Sequence, residues 1–107
     1  MSAQSTLAAP APAPDKPVGL DVVPRINAGF RLQWEAVQDC HVLLYPEGMV
    51  KLSQTAGEIL KRCDGQHSLA EIVAQLEAAF ATTDLGADVL AFVQVAGNQR
   101  WLTWAGR

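Results

Sequence analysis

Four side chains in this sequence have the donor chemistry to hold a metal or carry a redox step: Cys40, His41, Cys63 and His67. Cys40 with His41, and Cys63 with His67, could be imagined as two halves of a zinc site. Structural zinc sites use tighter ligand spacing than this, and neither cysteine sits in a CxxC pair. They read instead as two buried or half-buried thiols and two surface histidines, with free thiols rather than a disulfide. Glu71 and Glu77 are paired acids on paper, but a six-residue separation puts them on different faces of a helix, as solvated surface. A phosphate-cradling glycine loop and an HExxH helix are both absent. No catalytic constellation emerges, so the expected role is non-enzymatic, with no cofactor and no metal.

The elements that would position any site can be read from hydropathy periods. Phe30, Leu32 and Trp34 alternate with Arg31, Gln33 and Glu35, the period of a half-buried strand. Residues 41–45 form a second strand, apolar on both faces and therefore central in the sheet, with its second side partly covered. Pro46-Glu47-Gly48 is turn chemistry. Met49, Val50, Lys51 and Leu52 then complete an antiparallel trio. The period next becomes helical. Leu52, Ala56, Ile59, Leu60 and Cys63 make one apolar stripe capped by Ser53, and Asp64-Gly65 stops that helix. Ser68 and Glu71 form a capping box for a second helix over residues 68–80. Asp84 or Thr83 caps a third, whose stripe is Leu85, Val89, Phe92, Val93 and Ala96, with Leu90 at its edge and Gly97-Asn98 at its end. Trp101 and Trp104 fall in a short tail that can fold back over apolar surface. The expected fold class is α+β: a small three-stranded antiparallel sheet followed by three helices, winged-helix-like.

Ahead of these elements, residues 1–24 are rich in Ala and Pro and read as a disordered tail or an inter-domain linker. The folded domain is expected over residues 25–104. The chain has 107 residues and a net charge of −3, and its longest Lys- and Arg-free interval, between Arg62 and Arg100, holds Asp64, Glu71, Glu77, Asp84 and Asp88. That distribution repels phosphates and disfavours nucleic acid as a partner. No apolar run approaches the ~20 residues that span a bilayer, and no secretory signal precedes the domain, so no membrane association and a cytoplasmic location are expected.

A short strand with nothing to pair on its far side is an exposed edge, either a hazard or a binding site. An extended peptide can add to such an edge through main-chain bonds while its alternate side chains enter pockets. Four or five such bonds at a net ~1 kcal/mol each give only weak binding, so an apolar wall beside the edge is needed. The third helix supplies more apolar residues than a helix resting on three strands must bury. The expected groove lies between that helix and the third strand.

The residues that carry these features also resemble a known family. Pro24-Arg25, Trp34-Glu35, Val42-Leu43-Leu44-Tyr45-Pro46-Glu47-Gly48, Ile59-Leu60 followed by Cys63-Asp64-Gly65, and Asp88-Val89 with Phe92 look like the PqqD family over about residues 24–102. The resemblance implies a peptide chaperone of pyrroloquinoline quinone biosynthesis. Such a protein binds the ribosomal precursor peptide PqqA and presents it to PqqE, a radical S-adenosylmethionine enzyme that cross-links a Glu and a Tyr within it. In the wider group of leader-recognition domains, the leader pairs with the third strand and packs on the third helix. Carried over residue by residue, the peptide-binding positions are Met49, Val50, Lys51 and Leu52, with Leu85, Asp88, Val89, Phe92 and Val93. Some members of the family are fused behind the oxidase PqqC, and the Ala/Pro-rich tail looks like such a linker. Two alternatives stand beside this reading: a winged-helix DNA-binding regulator, and a small enzyme or redox protein that uses Cys40 or Cys63.

Overall fold

The computed structural model describes residues 18–105; of the expected tail, residues 1–17 lie outside the described residues. In chain order the elements are β1 (Arg25–Ile26), β2 (Arg31–Glu35), β3 (Cys40–Tyr45), β4 (Gly48–Lys51), α1 (Gln54–Lys61), α2 (Leu69–Ala79), α3 (Gly86–Asn98) and β5 (Leu102–Thr103). Strands β2, β3 and β4 form the expected antiparallel trio with β3 in the middle. The register is fixed by Leu32↔Leu43 and Leu43↔Val50, which set three apolar side chains in a row across one face. That inner face meets the helices. Leu43, Ile59, Leu60, Leu69, Ile72, Leu76, Val89 and Val93 are all buried in one cluster.

Local chemistry accounts for the helix starts. The Ser53 hydroxyl accepts the Ala56 N–H at 3.1 Å, and the Ser68–Glu71 capping box is complete. Asp84 does not cap α3. It sits at φ 63° in the connecting loop, and the N-cap position falls to Leu85, which has no capping side chain. The Glu77 carboxylate of α2 reaches across instead and accepts the Leu85 N–H at 3.0 Å. Glu77 is therefore a structural residue, not solvated surface.

The far end of the molecule departs from the expected trio of strands. Trp101 and Trp104 do fold back: β5 pairs with β1 through Arg25↔Thr103 and Ile26↔Leu102, a second, two-stranded sheet. Helix α3 ends after Asn98 in a reversal in which the Trp101 N–H donates to Ala96 O and the Arg100 N–H to Gly97 O, with Arg100 at φ 64°. Gly97 lies inside the helix and does not terminate it. Its role is contact, because a Cβ there would stand 2.6 Å from Cη2 of Trp104.

The folded unit also begins earlier than residue 25. Val22 is only 2% exposed, and Pro24 is buried beside it. The Val22 and Leu20 carbonyls accept the Leu69 and Ala70 N–H groups, and Pro24 O accepts the N–H of Gly65. The first turn of a helix leaves such donors unpaired, and the turn at residues 19–22 satisfies two of them. Composition hid the boundary because residues 18–24 carry no hydropathy period, and their order comes from backbone bonds to distant residues.

Candidate functional site

The first candidates to place are the metal-donor side chains, and the fold scatters them. Cys40 and His41 are consecutive on β3, so their side chains leave opposite faces. His41 packs between the Trp34 ring, at 5.0 Å between centroids and 70° between planes, and Gly57 of α1, where a Cβ would come within 2.7 Å of Nδ1. The buried Cys63 thiol donates to Ile59 O at 3.2 Å, and burial pushes it up to about 12, with the Asp64 charge adding to the effect. A thiol held that high forms no useful thiolate near neutral pH, which removes Cys63 as a nucleophile. His67 Nδ1 lies 3.1 Å from the Asp64 carboxylate. The Gln66 N–H and that histidine together hold Asp64 below the usual carboxylate range. Among the described residues no group of three His, Cys, Asp or Glu is arranged to hold a metal ion.

The edge of the three-stranded sheet is a different matter. The Leu52 N–H donates to His41 O at 3.0 Å. Antiparallel neighbours alternate between facing the partner strand and facing away. Val50 therefore spends its N–H and C=O groups on β3 and Leu52 its N–H, whereas the groups of Met49 and Lys51 turn outward. No further strand pairs with β4 among the described residues. Side chains alternate as well: Val50 points to the helix side and is half-buried against the core, while Met49, 51% exposed, and Lys51 lie on the outer face.

The helix positions divide by face. Val89 and Val93 are buried and form part of the core, as does Leu52 at the end of β4. Leu85 and Phe92 are half-buried at the core's rim, and Asp88 is exposed. Leu85, Asp88 and Phe92 stand at i, i+3 and i+7, one strip along α3. Val95, at i+10, continues the strip and is 54% exposed. The sequence reading passed over Val95, although the same spacing points to it. The strip is fixed at its start by the bond from Leu85 to Glu77 and at its end by the Trp104 packing on Gly97. The nine expected peptide-binding residues thus comprise outward main chain (Met49, Lys51), rim side chains (Val50, Leu85, Asp88, Phe92) and supporting core (Leu52, Val89, Val93).

On the outer face of the sheet Val42 is buried, whereas Met49 and Lys51 are exposed. Helix α2, the helix a winged-helix regulator would lay on DNA, contains neither Lys nor Arg. No helix among the described residues is long and apolar enough to cross a membrane.

Comparison with known proteins agrees with this geometry. A family model described as Coenzyme PQQ synthesis protein D (PqqD) matches residues 40–102. A protein of Pseudomonas aeruginosa (strain UCBPP-PA14) named PqqA binding protein is 55% identical over 84 residues, covering 78% of this chain and 91% of that one. A protein of the same name from Azotobacter vinelandii is 50% identical over 84 residues, with 78% and 91% covered. The chain also matches the solution NMR structure of the PqqD truncation of Methylobacterium extorquens PqqCD, described as a functional, stand-alone recognition element for ribosomally synthesized and post-translationally modified peptides. The TM-score is 0.68 at 32% identity, over 83% of this chain and 96% of that one. Fold and site define a winged-helix-like α+β domain whose sheet border is unpaired among the described residues. Within that class, the chain belongs to the PqqD family.

Proposed function

We propose that this protein is a non-catalytic peptide chaperone of pyrroloquinoline quinone biosynthesis, which binds PqqA as an added strand on β4 and presents it to PqqE. The observation that carries the reading is the Leu52-to-His41 bond, since it sets which main-chain groups of β4 are left for a partner. The incoming backbone bonds the outward groups of Met49 and Lys51. Its alternate side chains lie beside Val50 and meet the α3 strip of Leu85, Phe92 and Val95, with Asp88 at the rim to receive a basic side chain. The names of the relatives support PqqA as the ligand. Holding the peptide in one extended conformation lowers the entropy cost of bringing a flexible substrate to the modifying enzyme. This is tethering and orientation, and it requires no acid, base or cofactor from the chaperone. We place the protein in the cytoplasm, where a ribosomal peptide is made, and infer from the PqqCD name of the Methylobacterium protein that it works in association with PqqC.

The test is a proline placed on the outward register. Lys51→Pro removes an outward donor but no bond to β3, so the domain stays folded. PqqA affinity is expected to fall about tenfold or more, the effect of one lost ladder bond and one peptide carbonyl left unpaired. Val50→Pro, which breaks an inward bond, is expected to damage the hairpin itself and serves as the contrast. Unchanged PqqA affinity in folded Lys51→Pro would overturn strand addition at β4. The DNA-binding alternative is separated by a salt titration, because phosphate-driven binding collapses with salt and groove binding does not.

A further inference from the structure

At the Gly48 end of the β4 edge the fold holds an arginine in two unfavourable circumstances. Helix α3 reverses through Arg100 at φ 64°, the left-handed region in which a Cβ is disfavoured and glycine is the usual choice. The main chain is fixed there: the Arg100 N–H donates to Gly97 O at 3.0 Å, and its carbonyl accepts Nδ2 of the buried Asn27 at 2.8 Å. The side chain is not. Arg100 Nε is buried with no hydrogen-bond partner, and Arg100 makes no ion pair among the described residues. A buried donor left unpaired is destabilising, and backbone strain of this kind clusters at sites of function. Arg100 lines a cavity of about 330 Å³ with Phe30, Tyr45, Glu47, Gln99 and Trp101. Phe30 and Tyr45 share the sheet's inner face, two residues before Leu32 and two after Leu43, with ring centroids 5.7 Å apart. Glu47 immediately precedes β4, so the cavity adjoins the place where a strand added to that edge runs past Gly48.

We propose that this cavity is a side-chain subsite of the peptide groove, in which Arg100 receives a carboxylate of the bound peptide. The subsite rests on strand addition at β4 and adds what the incoming chain carries: an acidic residue beyond the stretch paired with Met49 and Lys51. A guanidinium presents its donors in a planar fork that matches a carboxylate. The rings of Phe30, Tyr45 and Trp101 lower the local dielectric, which strengthens such a pair, and the Tyr45 hydroxyl adds a neutral donor to the same cavity. An apolar peptide side chain would fill the space and leave Arg100 Nε unpaired. A basic one would meet Arg100 with like charge. Glu47 is the acid that lines the cavity; it is exposed at the rim and forms no ion pair with Arg100. Its charge opposes an incoming carboxylate weakly, through solvent. Glycine would suit the turn better than arginine does, and the peptide supplies the partner that the fold withholds.

The experiment is calorimetric titration of the full chain with the PqqA peptide, together with the denaturant midpoint of each variant. Arg100→Gln removes the charge and keeps the strained backbone, and affinity should fall about tenfold. Arg100→Gly also relieves the backbone, so its denaturant midpoint should rise while its affinity falls by about the same factor. An arginine with only a structural role would lower the midpoint in both variants. Glu47→Gln removes a like charge and should tighten binding about twofold. PqqA peptides with each Asp or Glu changed in turn to its amide then find the partner. One of them should bind the parent about tenfold more weakly, yet bind Arg100→Gln as well as the unchanged peptide does. Parent-like affinity in Arg100→Gln, weaker binding by Glu47→Gln, or losses that simply add for every acidic residue overturn the subsite. A loss in Lys51→Pro without one in Arg100→Gln leaves strand addition standing and removes the subsite alone. The reverse pattern removes strand addition, and a chain that binds no PqqA overturns both.

Discussion

The two sheets of this molecule are built from the same kind of bond and put to opposite uses. In the β1–β5 sheet the surrounding groups are committed. The buried Asn27 donates its main-chain N–H to Trp101 O at 2.9 Å and its side-chain Nδ2 to Arg100 O at 2.8 Å. Leu102 is fully buried, Trp104 rests on Gly97, and residues 20–24 bond the start of α2 and Gly65. In the β2–β3–β4 sheet the inner face is committed to the core, and among the described residues both borders keep unpaired main-chain groups. The difference teaches where stability and recognition reside. The closed sheet ties residues 25–26 and 102–103 together beside the core, and that leaves the three-stranded sheet free to remain incomplete.

If that partition holds, changes at the closed end should reduce stability without touching recognition in the protein that remains folded. Trp104→Ala is expected to have the largest effect, about 3–5 kcal/mol of unfolding free energy by denaturant titration. Peptide affinity, measured where the variant is still folded, should match the parent. A large affinity loss there would mean that the two sheets are coupled after all.

Next in size is an alkaline effect of Cys63. Its thiol stays protonated in the folded chain up to about 12, whereas an ordinary thiol releases its proton near 9.0. The unfolded chain therefore loses the proton first, so stability is fully present below pH ~9 and falls as pH rises toward 12. By pH ~10 the loss is of the order of 1.4 kcal/mol, one unit beyond the unfolded value. Cys63→Ala should flatten this part of the stability–pH curve.

Glu77 lies at the junction between support and recognition, since it bonds the first N–H of the helix that bears the proposed wall. Glu77→Ala is expected to cost about 1 kcal/mol, as for other lost helix caps. Unlike Trp104→Ala, it should also weaken PqqA binding, because Leu85 begins the strip. The smallest expected effect is a gain. Ala81 takes φ 51° at the reversal after α2, where the Thr82 N–H bonds Glu77 O and glycine is the favoured residue. Ala81→Gly should add roughly 0.5–1 kcal/mol to stability and leave binding unchanged.

What could be read from the sequence follows the range of each interaction. Ser53, Ser68 and Glu71 act within three or four residues of themselves, so their caps were legible, as were three strands joined by short turns. The β1–β5 pairing was not. Its strands are two residues long, too short for a period, and the Asn27 bond that secures it spans 73 positions. The cap of α3 was misread because its acceptor arrives from eight residues upstream, on another helix. At the candidate site, spacing gave the stripe on α3 but not its division into core and rim. Which side of an apolar stripe is buried depends on the neighbouring elements. Val95 was missed for the same reason, and the inward turn of Val50 became visible only with the register.

The most direct test of the account is amide exchange across the sheet, followed by NMR with and without the PqqA peptide. The N–H groups of Val50 and Leu52 should exchange slowly in both states, since β3 already holds them. Those of Met49 and Lys51 should exchange rapidly in the free protein and slow on adding peptide. If PqqA binds while Met49 and Lys51 continue to exchange as in the free protein, the peptide does not complete the β4 edge, and the account is wrong.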